Sequence, residues 1–142
     1  MTTAIASFGT LLKIGDAASP EVFTTIANLG DIDGPELNSD MEDVTGHDSS
    51  GGYEEVIPVG VLSTGEVSFE IRWVPAGSTH GATTGLVADW KNKTKRNFQL
   101  VWPNSQTWAF SAYVTKFAPK AAVKGVLAAD VTIKVTGTPT LV

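Results

Sequence analysis

The clearest pattern in this sequence is the alternation of apolar and polar residues along its second half. A period of two predicts strands that bury one face. Four predicted strands have this pattern, over residues 67–73, 97–102, 108–117 and 129–135. The second and third flank the turn residues Pro103-Asn104-Ser105-Gln106, which predicts a hairpin, and Gly137 and Pro139 are expected to end the fourth strand.

The first half of the chain predicts strands that are less regular. We expect one strand over residues 8–14, ended by Gly15-Asp16, and another over residues 22–29, ended by Gly30. The pair Gly34-Pro35 predicts a further bend. No internal repeat and no linker divides the chain, so we expect a single domain over residues 1–142.

One segment departs from the strand pattern. Between residues 83 and 92 the spacing of Leu86, Val87 and Trp90 fits one face of a helix, with Trp90 as its expected contact with the sheet. One short helix among seven or eight strands predicts a mainly β fold. The expected architecture is an antiparallel sandwich or barrel with one flanking short α-helix.

Residues 38–58 predict a long polar loop between strands. The segment has no Lys or Arg, and Ser49-Ser50-Gly51-Gly52 lies at its centre. Loops beyond about 12–15 residues are usually functional or disordered, and ordering a backbone costs about 1–2 kcal/mol per residue. We expect a neighbouring copy of the protein to order this loop, whose tip should move most. The candidate contact residues are Asp40, Glu42, Asp43, His47, Asp48, Tyr53, Glu54 and Glu55.

The charges are unevenly distributed along the chain. Residues 1–60 hold 11 acidic and 1 basic residue, for −10, and residues 61–142 hold 4 acidic and 9 basic residues, for +5, which together give the net −5. Either these charges mix on the folded surface, or an acidic face of one copy meets a basic face of the next. The candidate basic counterpart is Lys91, Lys93, Lys95 and Arg96, which could equally be a charge cluster at a helix C-terminus.

The residues give little support for a metal site, a membrane span or a catalytic site. There is no cysteine, and no apolar run of about 18 residues, so we expect neither thiolate metal sites nor a membrane span. Asp31-Ile32-Asp33-Gly34 begins like a calcium loop but continues with Pro35, which breaks that motif. His47 has no second imidazole nearby, and His80 is expected to be a turn or cap residue. No catalytic motif is present, so no cofactor or metal is expected.

The tryptophans leave one alternative open. Trp73, Trp102 and Trp108 alternate with polar positions on predicted strands and are expected in the core. If they were exposed in a row, they would form a sugar-binding platform. The competing function is therefore a carbohydrate-binding or adhesin-like sandwich, and a small hydrolase is the third.

Short segments along nearly the whole chain match one known family in order and spacing. In sequence they are Gly9-Thr10-Leu11-Leu12, Gly15-Asp16, Phe23-Thr24-Thr25-Ile26-Ala27, Gly30-Asp31-Ile32-Asp33-Gly34-Pro35, Asp43-Val44-Thr45 with His47, Glu54-Glu55-Val56-Ile57-Pro58, Gly65-Glu66-Val67-Ser68-Phe69-Glu70-Ile71 and Val131-Thr132-Ile133-Lys134-Val135-Thr136-Gly137-Thr138-Pro139. With them the chain resembles the major tail tube proteins of long non-contractile-tailed bacteriophages. Val59-Gly60 departs from the pattern, where glycine would directly follow Pro58.

The resemblance implies a structural role rather than an enzymatic one. Members form a β-sandwich or barrel with one helix, similar to the ring protein of type VI secretion tubes. Six subunits join their sheets into a ring, and rings stack head to tail into a tube that conducts the viral genome into the host cell. The long loop, here about residues 38–58, is the inter-ring contact.

The resemblance also implies a place and partners. We expect a virion tail protein that assembles in the host bacterial cytoplasm, with the tape measure, tail terminator and baseplate proteins as partners. An excess of negative charge suits a channel through which DNA passes without tight binding. Glu70 and Asp130, on polar faces of predicted strands, are the candidate residues facing the channel.

Overall fold

The computed structural model of the protein describes residues 3–141, and within them lie nine strands and one α-helix. In chain order they are β1 (Leu11–Gly15), β2 (Phe23–Thr25), β3 (Leu29–Asp33), β4 (Met41–Asp43), β5 (Val56–Pro58), β6 (Glu66–Ile71), α1 (Leu86–Asn92), β7 (Arg96–Val101), β8 (Thr107–Ala121) and β9 (Leu127–Leu141). A single 3₁₀ turn spans Ser50–Gly52. None of the helical segments in residues 3–141 has the length and apolar character needed to cross a membrane.

Seven strands form one antiparallel sheet in the order β2-β1-β7-β8-β9-β6-β3. The strands β8 and β9 are 15 residues long and form a hairpin that belongs to two layers. Along β8 only residues 107–112 pair with β7, and along β9 only residues 129–134 pair with β6. A register shift between Val114 and Lys116 separates the two halves of β8. The sheet therefore folds over itself, and the predicted antiparallel sandwich with one helix is confirmed.

The core lies between the two layers. Leu12, Phe98 and Leu100 from one layer and Ile71 and Ile133 from the other are all fully buried in one apolar cluster. Burying a large apolar side chain stabilises the fold by about 1.5–3 kcal/mol. The alternating positions predicted to face inward therefore supply most of the stabilising burial.

The helix differs from its prediction in its start and in its contact face. It begins at Leu86, because Gly85 is extended and its Cα lies so close to the His80 backbone that any Cβ would clash. Leu86, Ala88 and Asp89 face inward, whereas Trp90 is 54% exposed. The prediction that Trp90 contacts the sheet is therefore wrong.

Two strand predictions also need correction. The strand expected over residues 22–29 is split into β2 and β3 by Asn28, whose positive φ of 55° turns the chain. The strand β9 does not end at Gly137 and Pro139 but continues to Leu141. There Ala109 pairs with Thr140 and Ser111 with Thr136, so the residues between them on β9 form a bulge. Gly137 has a φ of 77° in that bulge, which a glycine adopts without strain.

Candidate assembly surfaces

The strands β4 and β5 form a two-stranded ribbon apart from the main sheet. Its register pairs Met41 with Pro58, Glu42 with Ile57 and Asp43 with Val56. At its base Asn38 and Ser63 exchange two backbone hydrogen bonds of 2.8 and 2.9 Å. We call residues 38–63 the acidic ribbon. The long polar segment predicted over residues 38–58 therefore contains two short paired strands, and its role as a contact between rings stays a prediction.

The acidic ribbon exposes apolar side chains as well as charges. Met41 is 57% exposed, Tyr53 78%, Val56 50% and Ile57 46%. All six of its carboxylates are also exposed, and residues 38–63 include no Lys or Arg. A two-stranded hairpin without a covered face is marginally stable in water. The ribbon thus has an amphipathic surface on which a partner can bury area.

Local hydrogen bonds organise the tip of the ribbon. The Glu55 N–H donates to Thr45 Oγ1 at 2.7 Å, and Ser49 Oγ donates to Glu55 Oε2 at 3.2 Å. Hydrogen bonds from the side chain and the N–H of Thr45 lower the pKa of the Asp43 carboxyl. Asp43 and Glu55 therefore stabilise the ribbon itself. Within residues 3–141, no side-chain hydrogen bond is found for the other six predicted contact residues, which are Asp40, Glu42, His47, Asp48, Tyr53 and Glu54.

The four residues of the predicted basic counterpart have different environments. Lys91, Lys93 and Lys95 are exposed around the C-terminus of α1. Arg96 instead donates through Nε to Asp89 Oδ1 at 2.9 Å, and its side chain is 22% exposed. Burial raises the pKa of the Asp89 carboxyl despite this guanidinium. Arg96 is thus engaged within its own chain, and three lysines remain as the exposed basic group.

The second half of β8 with β9, β6 and β3 has an outer face that carries the two predicted channel residues. Glu70 and Asp130 are directly opposite one another on β6 and β9. Glu70 forms an ion pair with Arg72, and Lys120 Nζ lies 2.7 Å from Asp130 Oδ2. The hydrogen bond with Asp130 raises the pKa of Lys120. The structure therefore brings Glu70 and Asp130 onto one charged surface.

Sequence reasoning missed other residues on this outer face. Asp31 and Asp33 on β3 and Lys116 on β8 surround the same shallow depression as Asp130. In the sequence, Asp31 and Asp33 belong only to an incomplete calcium-loop motif and to a segment of the family resemblance. Their spacing of two residues was the available signal, since it places both side chains on the same face of a strand.

The tryptophans form no exposed row. Trp73, Trp102 and Trp108 are partly buried and pack against the core. Trp102 meets Trp108 edge to face with ring centroids 5.4 Å apart. Their expected core position is confirmed, and this packing removes the surface that a sugar platform needs. Among residues 3–141 no group of three or more His, Asp or Glu side chains is arranged to hold a metal ion.

Three solved structures with similar folds come from a tail, a virion and a tail tube. The tail of an empty gene transfer agent particle, refined with C6 symmetry, is 21% identical with a TM-score of 0.78 over 98% of this chain and 99% of that one. A chain of the virion of a native gene transfer agent particle is 18% identical, with a TM-score of 0.76 over 98% of this chain and 99% of that one. The SPP1 tail tube protein is 13% identical, with a TM-score of 0.63 over 94% of this chain and 77% of that one. These likenesses establish the fold.

The sequence itself carries the family assignment. No curated protein matches the chain. The model of the lambda phage tail tube protein family matches residues 8–142, which is nearly the whole sequence. The chain therefore belongs to the lambda phage tail tube protein family.

Proposed function

We propose that six copies of this tail tube subunit close into a ring, and that rings stack head to tail into a hollow tube that conducts the viral genome into the host cell. The observation that carries the proposal is a four-stranded layer with a free edge on each side. The six-fold number follows the symmetry of the similar gene transfer agent tail.

The free edges belong to β8 and β3. Residues 113–121 of β8 pair with β9 on one side, and among residues 3–141 no strand pairs with their other side. β3 is the last strand beyond β6. Unpaired edges are templates for another chain. We infer that β8 of one copy pairs with β3 of the next.

The alternating strand directions of the four-stranded layer support pairing between β8 of one copy and β3 of the next. β8, β9, β6 and β3 alternate in direction, so β8 and β3 run oppositely. Copies related by rotation would therefore pair β8 with β3 antiparallel and continue the alternation around the ring. About 24 strands, spaced by about 4.8 Å and tilted by about 40°, give a barrel with a diameter of about 48 Å. A barrel of that width encloses an open channel.

The acidic ribbon is the proposed contact between rings. Its exposed apolar and acidic side chains would bury area against the neighbouring ring, with Lys91, Lys93 and Lys95 as the proposed basic counterpart. The contact is heterologous, because the ribbon and the helix end are different surfaces, and heterologous contacts build open filaments.

The remaining assignments follow from this role. We propose that residues 1–142 act as one tail-tube domain with no enzymatic activity. The ends of the tube would meet the tape measure, tail terminator and baseplate proteins. DNA would pass the channel wall without tight binding, with Glu70 and Asp130 as proposed residues of that wall and the net negative charge of the subunit opposing adhesion.

Electron microscopy of the purified protein tests the proposal. The wild-type chain is expected to form tubes. A variant in which Asn-Gly replaces residues 41–58 joins Asp40 to Val59 through a tight hairpin turn. It should fold, as measured by circular dichroism, and form no tubes.

Two results would contradict this picture separately. Wild-type protein that stays monomeric at every concentration would overturn the tube itself. Tubes of normal length from the Asn-Gly variant would overturn the role of the acidic ribbon while leaving the tube in place.

A further inference from the structure

The outer face of the four-stranded layer has charges of opposite sign at its two edges. On β3 the outward side chains are Asp31 and Asp33, and the strand has no cation. On residues 113–121 of β8 the only charged side chains are Lys116 and Lys120. Within the four-stranded layer, the acidic edge and the basic edge are thus the two strands that lack a neighbour on one side among residues 3–141.

All four side chains lie on the same face of the layer. Ser68 pairs with Asp33 on one side and with Thr132 on the other, and Thr132 pairs with Lys116. Ser68 Oγ and Thr132 Oγ1 are 3.4 Å apart, which fixes that row on one face. Lys120 reaches Asp130 on the same face. A copy joined edge to edge therefore continues this face.

We propose that the seam between neighbouring subunits is an electrostatic lock, in which Lys116 and Lys120 on β8 of one copy face Asp31 and Asp33 on β3 of the next. The partner is a second copy of this chain, and the inference rests on the proposed ring. Backbone pairing alone does not distinguish one edge from another. The charges do, because β8 against β8 opposes lysines, β3 against β3 opposes aspartates, and only β8 against β3 is complementary.

The charges of the seam would also restrict which edges of free copies can pair. Charged side chains on edge strands are a device that blocks wrong edge-to-edge pairing. Here the same charges would admit one pairing and reject two. Because only β8 can pair with β3, every subunit in a ring must face the same way around it.

Two charge-reversal variants test the seam. The basic-edge variant carries Lys116→Asp and Lys120→Asp, and the acidic-edge variant carries Asp31→Lys and Asp33→Lys. Each alone opposes like charges at every seam, so the concentration needed for tube assembly should rise by about tenfold or more. Mixed in equal amounts, the two variants can alternate around a ring with opposite charges at every seam. The mixture should therefore form tubes at the wild-type concentration.

Controls separate the seam from folding and from net charge. Lys124→Asp removes the same kind of charge at the hairpin turn, outside the paired strands, and should assemble normally. Thermal melts establish that both variants fold, and if either does not, Lys116→Asp and Asp33→Lys alone repeat the mixing test.

The outcomes are distinguishable. Tubes from each variant alone at the wild-type concentration would overturn the seam and leave the tube proposal standing. Failure of the mixture of folded variants would also overturn the seam. Absence of tubes from the wild-type chain would instead overturn the proposed function.

Discussion

The two histidines, His47 and His80, have opposite environments although each is next to a glycine in the sequence. His80 is 1% exposed, accepts a hydrogen bond from the Val74 N–H at Nδ1 at 3.1 Å, and contacts the Ala27 carbonyl through Nε2 at 2.7 Å. A neutral imidazole with its hydrogen on Nε2 satisfies both partners. His80 was expected only as a turn or cap residue, and its turn is confirmed. Its role as a bridge between two loops depends on residues far apart in sequence, which no local pattern reports.

We predict that His80→Ala destabilises the protein by about 2–3 kcal/mol, because it leaves two backbone groups without their partner and a void beside them. Urea unfolding followed by circular dichroism measures the change. His47→Ala is the matched control, since His47 lies exposed at the tip of the acidic ribbon and should change stability by less than about 0.5 kcal/mol. Equal stability of the two variants would contradict the bridging role.

At the scale of elements, regular alternation made β6, β7 and β8 predictable, because each buries one face in the core. The pattern failed where apolar residues are not buried. Val56 and Ile57 belong to a strand with no covered face, and their carboxylate neighbours hid them within a polar segment. The bulge at Gly137 was unpredictable for a different reason: glycine and proline ordinarily end strands, and only pairing with β8 carries this one onward.

Variants of the acidic ribbon can separate the contribution of charge to ring stacking from the contribution of apolar burial. We predict that Glu54→Lys with Glu55→Lys weakens ring stacking, because the ribbon would then meet lysines of the next ring with like charge. Sedimentation should show shorter tubes at low salt, and added salt should narrow the difference from wild type. Glu36→Lys, outside the ribbon, is the control. If assembly is unchanged at every salt concentration, apolar residues such as Ile57 hold the rings together without help from charge.

At the scale of the whole molecule, the two layers have different tasks. The layer of β2, β1 and β7 covers the core, whereas the layer of β8, β9, β6 and β3 has free edges and a charged outer face. In the proposed ring that outer face lines the channel. Acidic Glu66 and Glu70 alternate with Ser68 along β6, which pairs with a strand on each side and is not an edge strand of the layer. They can therefore be changed without altering the seam.

We predict that Glu66→Gln with Glu70→Gln leaves tube formation intact but increases the retention of DNA, because removing two negative charges per subunit weakens repulsion of the phosphate backbone. Tubes assembled with a short DNA duplex and then pelleted measure this retention, which should fall as salt rises. Glu21→Gln with Glu36→Gln removes the same charge from residues outside the four strands and should retain no more DNA than wild type. Equal retention by the two variants would mean that this face of the layer does not line the channel.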